Sequence, residues 1–186
     1  IKLIHRAEYC KSIIADGKEL ITGNERGKIR VPELNDEKVY ITFKEDLTSL
    51  ANAFSGCSAL KSIPENLFAN CPKATDFSFT FFGCKALTAI PEGLFANNPK
   101  VTIFQGTFSY CSALKSLPAN LFANNRKVNS FRLTFSGCSA LESIPKNLFA
   151  NNRKVTDFSY TFTGCYALTG ESPYTMIGDK KVHLYE

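Results

Sequence analysis

The residues of this chain that could do chemistry are seven cysteines, two histidines and a scatter of carboxylates. A nucleophilic or redox centre would need a thiol beside a base. Cys57, Cys84, Cys111, Cys138 and Cys165 instead follow one another at 27-residue intervals. Stacked copies of one unit would hold such thiols side by side with parallel Cα–Cβ vectors, a poor geometry for a disulfide. They are expected to be reduced and buried as small hydrophobes. Zinc would need several ligands converging on one point, and no paired C-x-x-C is present. Cys10 and Cys71 lie outside the ladder; they could pair, and free thiols are the expectation. His5 and His183 fall in opposite end segments, and only Cys10 is near either in sequence. Asp76 and Asp157 share a repeat position three copies apart, with Ile103 and Ser130 between. No glycine-rich phosphate loop occurs. These residues predict no catalysis, no cofactor and no metal.

What positions the cysteines is a repeat. The stretch from Phe54 to Thr80 recurs from Phe81, Phe108 and Phe135, and a fifth copy starts at Phe162 and breaks off. A fixed period of this length means one unit stacked on itself, with no interior until its neighbour covers it. Thirteen of the 16 phenylalanines fall on three repeat positions. Leu60, Ile63, Leu67, Phe68, Phe77 and Phe81 are the expected interior of one coil.

Local signals divide each unit. Leu47, Leu50 and Phe54, like Val155, Phe158 and Phe162, are spaced i, i+3, i+7, which predicts a short helix. A strand is the rival, because Phe158 and Tyr160 also alternate. Ala59–Ile63 and its copies, ending before Pro64, predict a short strand, and the proline opens a helical turn. Asn70, Asn97, Asn124 and Asn151 are placed to end that turn, since asparagine tolerates the left-handed region. The fold class expected is an α/β repeat solenoid, leucine-rich-repeat-like, with short parallel strands on one side, short helices or turns on the others, and β-rich caps.

Residues 1–46 are not repeat. Val39–Phe43 and Lys28–Val31 read as strands, separated by polar breaks at Gly23-Asn24 and Asn35-Asp36. An atypical end segment is expected to cap the first coil. Residues 47–168 are the 27-residue-repeat array. After Leu168 the register is lost: Glu171 stands where isoleucine is due and Pro173 is one place late. Residues 169–186 read as a C-terminal hairpin cap turning at Gly178-Asp179, or as the opening of a further domain. The start at Ile1 without methionine suggests a removed leader or an excised piece.

The repeat resembles the BspA-like, cysteine-containing leucine-rich-repeat surface proteins of bacteria. The carrying residues are Val155 to Leu168, VTDFSYTFTGCYAL, with the copies of Phe-Ser-Gly-Cys-Ser-Ala-Leu at 54–60 and 135–141. The run from Leu60 to Phe68 also looks like the general leucine-rich-repeat phrase. That resemblance implies a secreted or cell-surface bacterial protein that binds host or bacterial macromolecules, or one that spaces other domains. It lends no catalytic residue.

Binding residues are sought where the copies differ, since unchanging places serve core or turn. One such column is Lys61, Thr88, Lys115 and Glu142; others are Phe79, Gly106, Leu133 and Tyr160, and Ser78, Gln105, Arg132 and Ser159. Phe82 and Tyr110 replace the usual serine and glycine at the corner. Lys61, Lys115, Arg132, Phe82, Tyr110 and Tyr160 are therefore the candidate partner surface, with tyrosine and arginine as typical anchors; a merely solvated surface is the alternative. Lys73, Lys100, Lys127 and Lys154 form a basic row thickened by Arg126 and Arg153. It suits an acidic glycan or protein, or simply discourages association.

The formal charge is +5, and residues 54–168 hold all the excess, with eleven Lys/Arg against five Asp/Glu. Nucleic acid is not expected, because no dense basic stripe is interleaved with stacking aromatics. No apolar run approaches the roughly 18–20 residues of a membrane helix. The function expected is non-catalytic protein binding or adhesion, with a passive stalk as the alternative.

Overall fold

The computed structural model describes residues 2–15, 18–21, 29–30, 39–168, 174–177 and 180–183. The polar breaks at 23–24 and 35–36 and the turn at 178–179 lie outside them. Seven strands flank the repeats: β1 (Lys2–Ile4), β2 (Cys10–Ala15), β3 (Lys18–Ile21), β4 (Ile29–Arg30), β5 (Val39–Phe43), β6 (Tyr174–Ile177) and β7 (Lys180–His183). All their pairings are antiparallel: β1 with β4, β2 between β3 and β5, and β6 with β7. Val39–Phe43 is the strand its β-branched and aromatic residues predict.

The α/β leucine-rich-repeat-like class is overturned. Among the described residues there is no α-helix, only a 3₁₀ turn at Ala7–Tyr9, and no strand lies between 44 and 168. Parallel contact between copies is reduced to single-residue bridges joining Ser49, Asp76, Ile103, Ser130 and Asp157 in succession. They fall in the segment expected to be helical, whereas 59–63, expected to be a strand, is not one.

The physical reason is where the backbone N–H groups go. In the first coil the N–H groups of Leu50, Asn52, Phe54 and Gly56 donate to Asp76, Ser78, Thr80 and Phe82 of the next. The intervening N–H groups of Ala53, Ser55 and Cys57 close four-residue turns onto Leu50, Asn52 and Phe54. A helix would need every N–H for its own i−4 carbonyl, and a strand would leave none for turns. A chain of such turns reproduces the i, i+3, i+7 spacing without being a helix. The same alternation recurs at 77–84, 104–111 and 131–138. The run after each proline is likewise built of i→i+3 bonds, as from Leu67 N–H to Pro64 and from Ala69 N–H to Asn66.

Two residues in every coil are left-handed. Asn52, Phe79, Gly106, Leu133 and Tyr160 have φ between +55° and +60°, and the corner residues Gly56, Gly83, Tyr110, Gly137 and Gly164 have φ between +59° and +78°. Each is the third residue of a four-residue turn, where such a φ favours glycine or asparagine.

Phenylalanine fills the core in three columns. Phe54, Phe81, Phe108, Phe135 and Phe162 stack at 5.2–5.7 Å with interplanar angles of 3–12°. Phe68, Phe95, Phe122 and Phe149 form a second column, and Phe77, Phe104, Phe131 and Phe158 a third. At the start of the stack, Phe43 of β5 meets Phe54 at 6.0 Å and Phe68 at 5.7 Å.

The N-terminal segment also supplies donors to the first coil. His5 N–H donates to Ala53, Tyr9 Oη to Ala51, and Lys2 Nζ to the Ser55 carbonyl. Those carbonyls are the counterparts of Thr80, Ser78 and Phe82, which accept from the N–H groups of Phe54, Asn52 and Gly56 in the coil before. No helix of the described residues is long and apolar enough to cross a membrane.

Candidate functional site

The thiols are placed for structure. All seven cysteines are buried and unbridged. In the ladder, Cys84, Cys111, Cys138 and Cys165 each donate Sγ–H to the carbonyl of Phe54, Phe81, Phe108 and Phe135, at 3.2–3.3 Å. They are therefore hydrogen-bond donors as well as small apolar groups. Burial pushes the Cys165 thiol up to about 12 and raises those of Cys84, Cys111 and Cys138 further. Burial likewise lifts Cys10 to about 12 and Cys71 to about 11. A nucleophile needs the opposite shift. His5 Nδ1 is engaged with Lys2 Nζ and the Ser55 carbonyl.

Two further side-chain columns complete the interior. Asn98, Asn125 and Asn152 are buried, and each Nδ2 donates to two carbonyls of the preceding coil; Asn98, for example, reaches Phe68 and Cys71. Thr80, Thr107, Thr134 and Thr161 lie within bonding distance of one carbonyl in their own coil and one in the coil before. Asn70, Asn97, Asn124 and Asn151 each lie in the turn that closes on the next residue, as with Cys71 N–H to Phe68 and Asn98 N–H to Phe95, but none has a left-handed φ. All four are exposed, and the buried amide is the next residue along at 98, 125 and 152.

Asp76 and Asp157 cap turns. Asp76 Oδ1 accepts from Ser78 N–H at 2.8 Å, and Asp157 Oδ1 from Ser159 N–H at 2.9 Å. Partial burial disfavours the Asp157 charge, but hydrogen bonds from Ser159 and Ser130 and the Arg132 charge outweigh it and hold the carboxyl below its ordinary value. Among the described residues no cluster of three or more His, Cys, Asp or Glu could hold a metal. A hollow of about 260 Å³ beside Phe43, Pro64, Leu67 and Asn70 has no ionisable residue in its lining.

The candidate partner residues divide into separate columns. Phe82 meets Phe79 edge-on at 6.0 Å and Tyr110 at 5.5 Å, making a three-ring corner across two coils. Tyr110 is 54% exposed although its φ is +59°. Farther along the same strip, Arg132 lies over the Tyr160 ring at 5.3 Å. Lys61 and Lys115 are exposed in a different column, where Thr88 N–H donates to Lys61 and Lys115 N–H to Thr88. Phe79 was visible in the sequence only as a variable place; its ring is brought to the corner by a backbone twist that spacing does not reveal.

Lys73, Lys100, Lys127 and Lys154 are all exposed, with Arg126 and Arg153 beside them. Asp46 occupies the same place one coil earlier, and its Oδ1 lies 2.5 Å from Lys73 Nζ. That first rung was legible as a 27-residue offset from Lys73. No family model matches the chain, and no curated protein and no solved structure matches it.

Proposed function

We propose that the chain is a non-catalytic recognition module that engages a protein partner through the corner of Phe79, Phe82 and Tyr110. The observation that carries this reading is Tyr110. Glycine occupies its place in the other four coils, and a bulky residue there costs on the order of 1–2 kcal/mol in backbone strain. A strained residue that keeps a large ring half in solvent, next to two more rings, is placed for contact rather than for stability. Tyrosine at such a site offers an amphipathic anchor. The motif resemblance to bacterial surface proteins supports a secreted or cell-surface setting and a host or bacterial surface macromolecule as partner.

The double variant Phe82→Ser, Tyr110→Gly restores the residues of the ordinary corner and should fold at least as well. Binding to a panel of purified extracellular-matrix and bacterial surface proteins should fall tenfold or more. Unchanged binding would remove the corner from the account. A passive spacer is the second reading, favoured by the uninterrupted ladders between coils; it predicts no partner for either form.

A further inference from the structure

We infer that the edge bearing Lys100, Arg126, Lys127, Arg153 and Lys154 is a binding site for a linear polyanionic glycan, sulfated or rich in uronate, lying along the stack. This does not depend on the aromatic corner. Backbone bonds two residues after each lysine fix the register: Thr102 N–H to Thr75, Asn129 N–H to Thr102, and Thr156 N–H to Asn129. Successive lysines therefore stand about 4.8 Å apart along the axis. Five exposed cations occupy three coils, all well within one Debye length of their neighbours.

The row's charge state changes along its length. Asp46 neutralises the first lysine, Lys73, and among the described residues no ion pair is made by Lys100, Lys127 or Lys154. A column of like charges is self-repelling, and a regularly charged polymer laid along it relieves every pair at once. The chemistry of the flanks favours a glycan over nucleic acid. The segments are ANNPKVT, ANNRKVN and ANNRKVT, which offer exposed amides from Asn97 and Asn151 to ligand hydroxyls, while Asn124 Nδ2 donates to the Ala96 carbonyl; none offers an aromatic face for a base.

The test is calorimetry with a heparin decasaccharide. With all five cations engaged, affinity should fall roughly 100- to 500-fold between 50 and 200 mM salt. Arg126→Gln with Lys127→Gln should weaken binding at least tenfold at 50 mM and flatten the salt slope by about two-fifths. Asp46→Asn, which releases Lys73 to extend the row, should tighten it severalfold. Lys61→Gln with Lys115→Gln removes the same net charge elsewhere and should leave affinity within twofold. Equal losses from the two charge-removing pairs would reduce the effect to net charge and overturn the site. A single-stranded DNA of matched charge binding as tightly as the glycan would overturn the glycan assignment. All the substituted side chains are exposed, so folding is not at stake.

Discussion

The Phe79 ring lies across Gly106 of the next coil, so close that a β-carbon on Gly106 would stand 2.4 Å from Phe79 Cε1. Tyr110 leans over Gly137 in the same way, with 2.8 Å to its Cδ1. Two of the three corner rings thus depend on a missing side chain one coil along.

Gly106→Ala should therefore cost more than Gly83→Ala. Both glycines are left-handed, at +59° and +68°, so each alanine incurs about 1–2 kcal/mol of backbone strain. Only at Gly106 must a ring swing away, losing its edge-to-face contact with Phe82, worth roughly 0.5–1.5 kcal/mol. At Gly83 the nearest atom is the Gly56 Cα at 3.8 Å, an ordinary contact. Denaturant midpoints should separate the two variants, and adding Phe79→Ala should erase the difference. Equal costs without that addition would mean the ring exerts no constraint.

The asparagine column should be far more sensitive than its exposed neighbour. Asn125→Ala removes one bond each from the buried Phe95 and Asn98 carbonyls, which keep the N–H groups of Asn98 and Val101 as donors. At about 0.5–1.5 kcal/mol per lost bond, the loss should be roughly 1–3 kcal/mol. It is moderated because Asn125 Oδ1 is itself buried without a partner and disappears with the side chain. Asn124→Ala, one residue away, removes only a solvent-exposed bond to the Ala96 carbonyl and should cost less than about 0.5 kcal/mol. Chemical denaturation of the two variants, if it gave the same loss, would deny the column its role.

Stability should decline on the alkaline side. Thiols held protonated by burial have folded values above the ordinary 9.0. An unfolded chain loses those protons first, so the contribution is intact below 9 and is lost as pH rises towards the folded values. Each such thiol steepens the decline by about 1.4 kcal/mol per pH unit above 9. Cys138→Ala should lower overall stability but remove one thiol's share of the slope between pH 9 and 10.5. An unchanged slope in urea melts would show that the thiol is not held protonated.

On the acid side the sign reverses. Asp157 is held below its ordinary value of 3.8, so its contribution is present above that pH and disappears as pH falls through the lowered folded value. Asp157→Asn should flatten the loss of stability below pH 4, and Arg132→Gln should weaken the shift. Titration of the Asp157 carboxyl by NMR, if it gave the same value with and without Arg132, would refute the link.

Much of the interior could be read before any coordinate. The 27-residue period, the three phenylalanine positions and the cysteine ladder come from side-chain type and spacing, and burial at those places follows from the apolar surface each residue must hide. The strand at Val39–Phe43 was equally plain. The candidate surface was legible residue by residue, but not as groups: Phe82 and Tyr110 touch, while Lys115 belongs to a different column.

Side-chain pattern determined which residues face inward and how often the unit returns. Only the tertiary structure decided what the backbone does between those points, because Leu50 and Phe54 look alike whether their N–H groups bond inside one helix or to carbonyls 26 residues away. Distant partners leave no local mark on spacing. The choice among helix, strand and chained turns was made by stacking, as was the left-handed twist that brings Tyr110 into solvent.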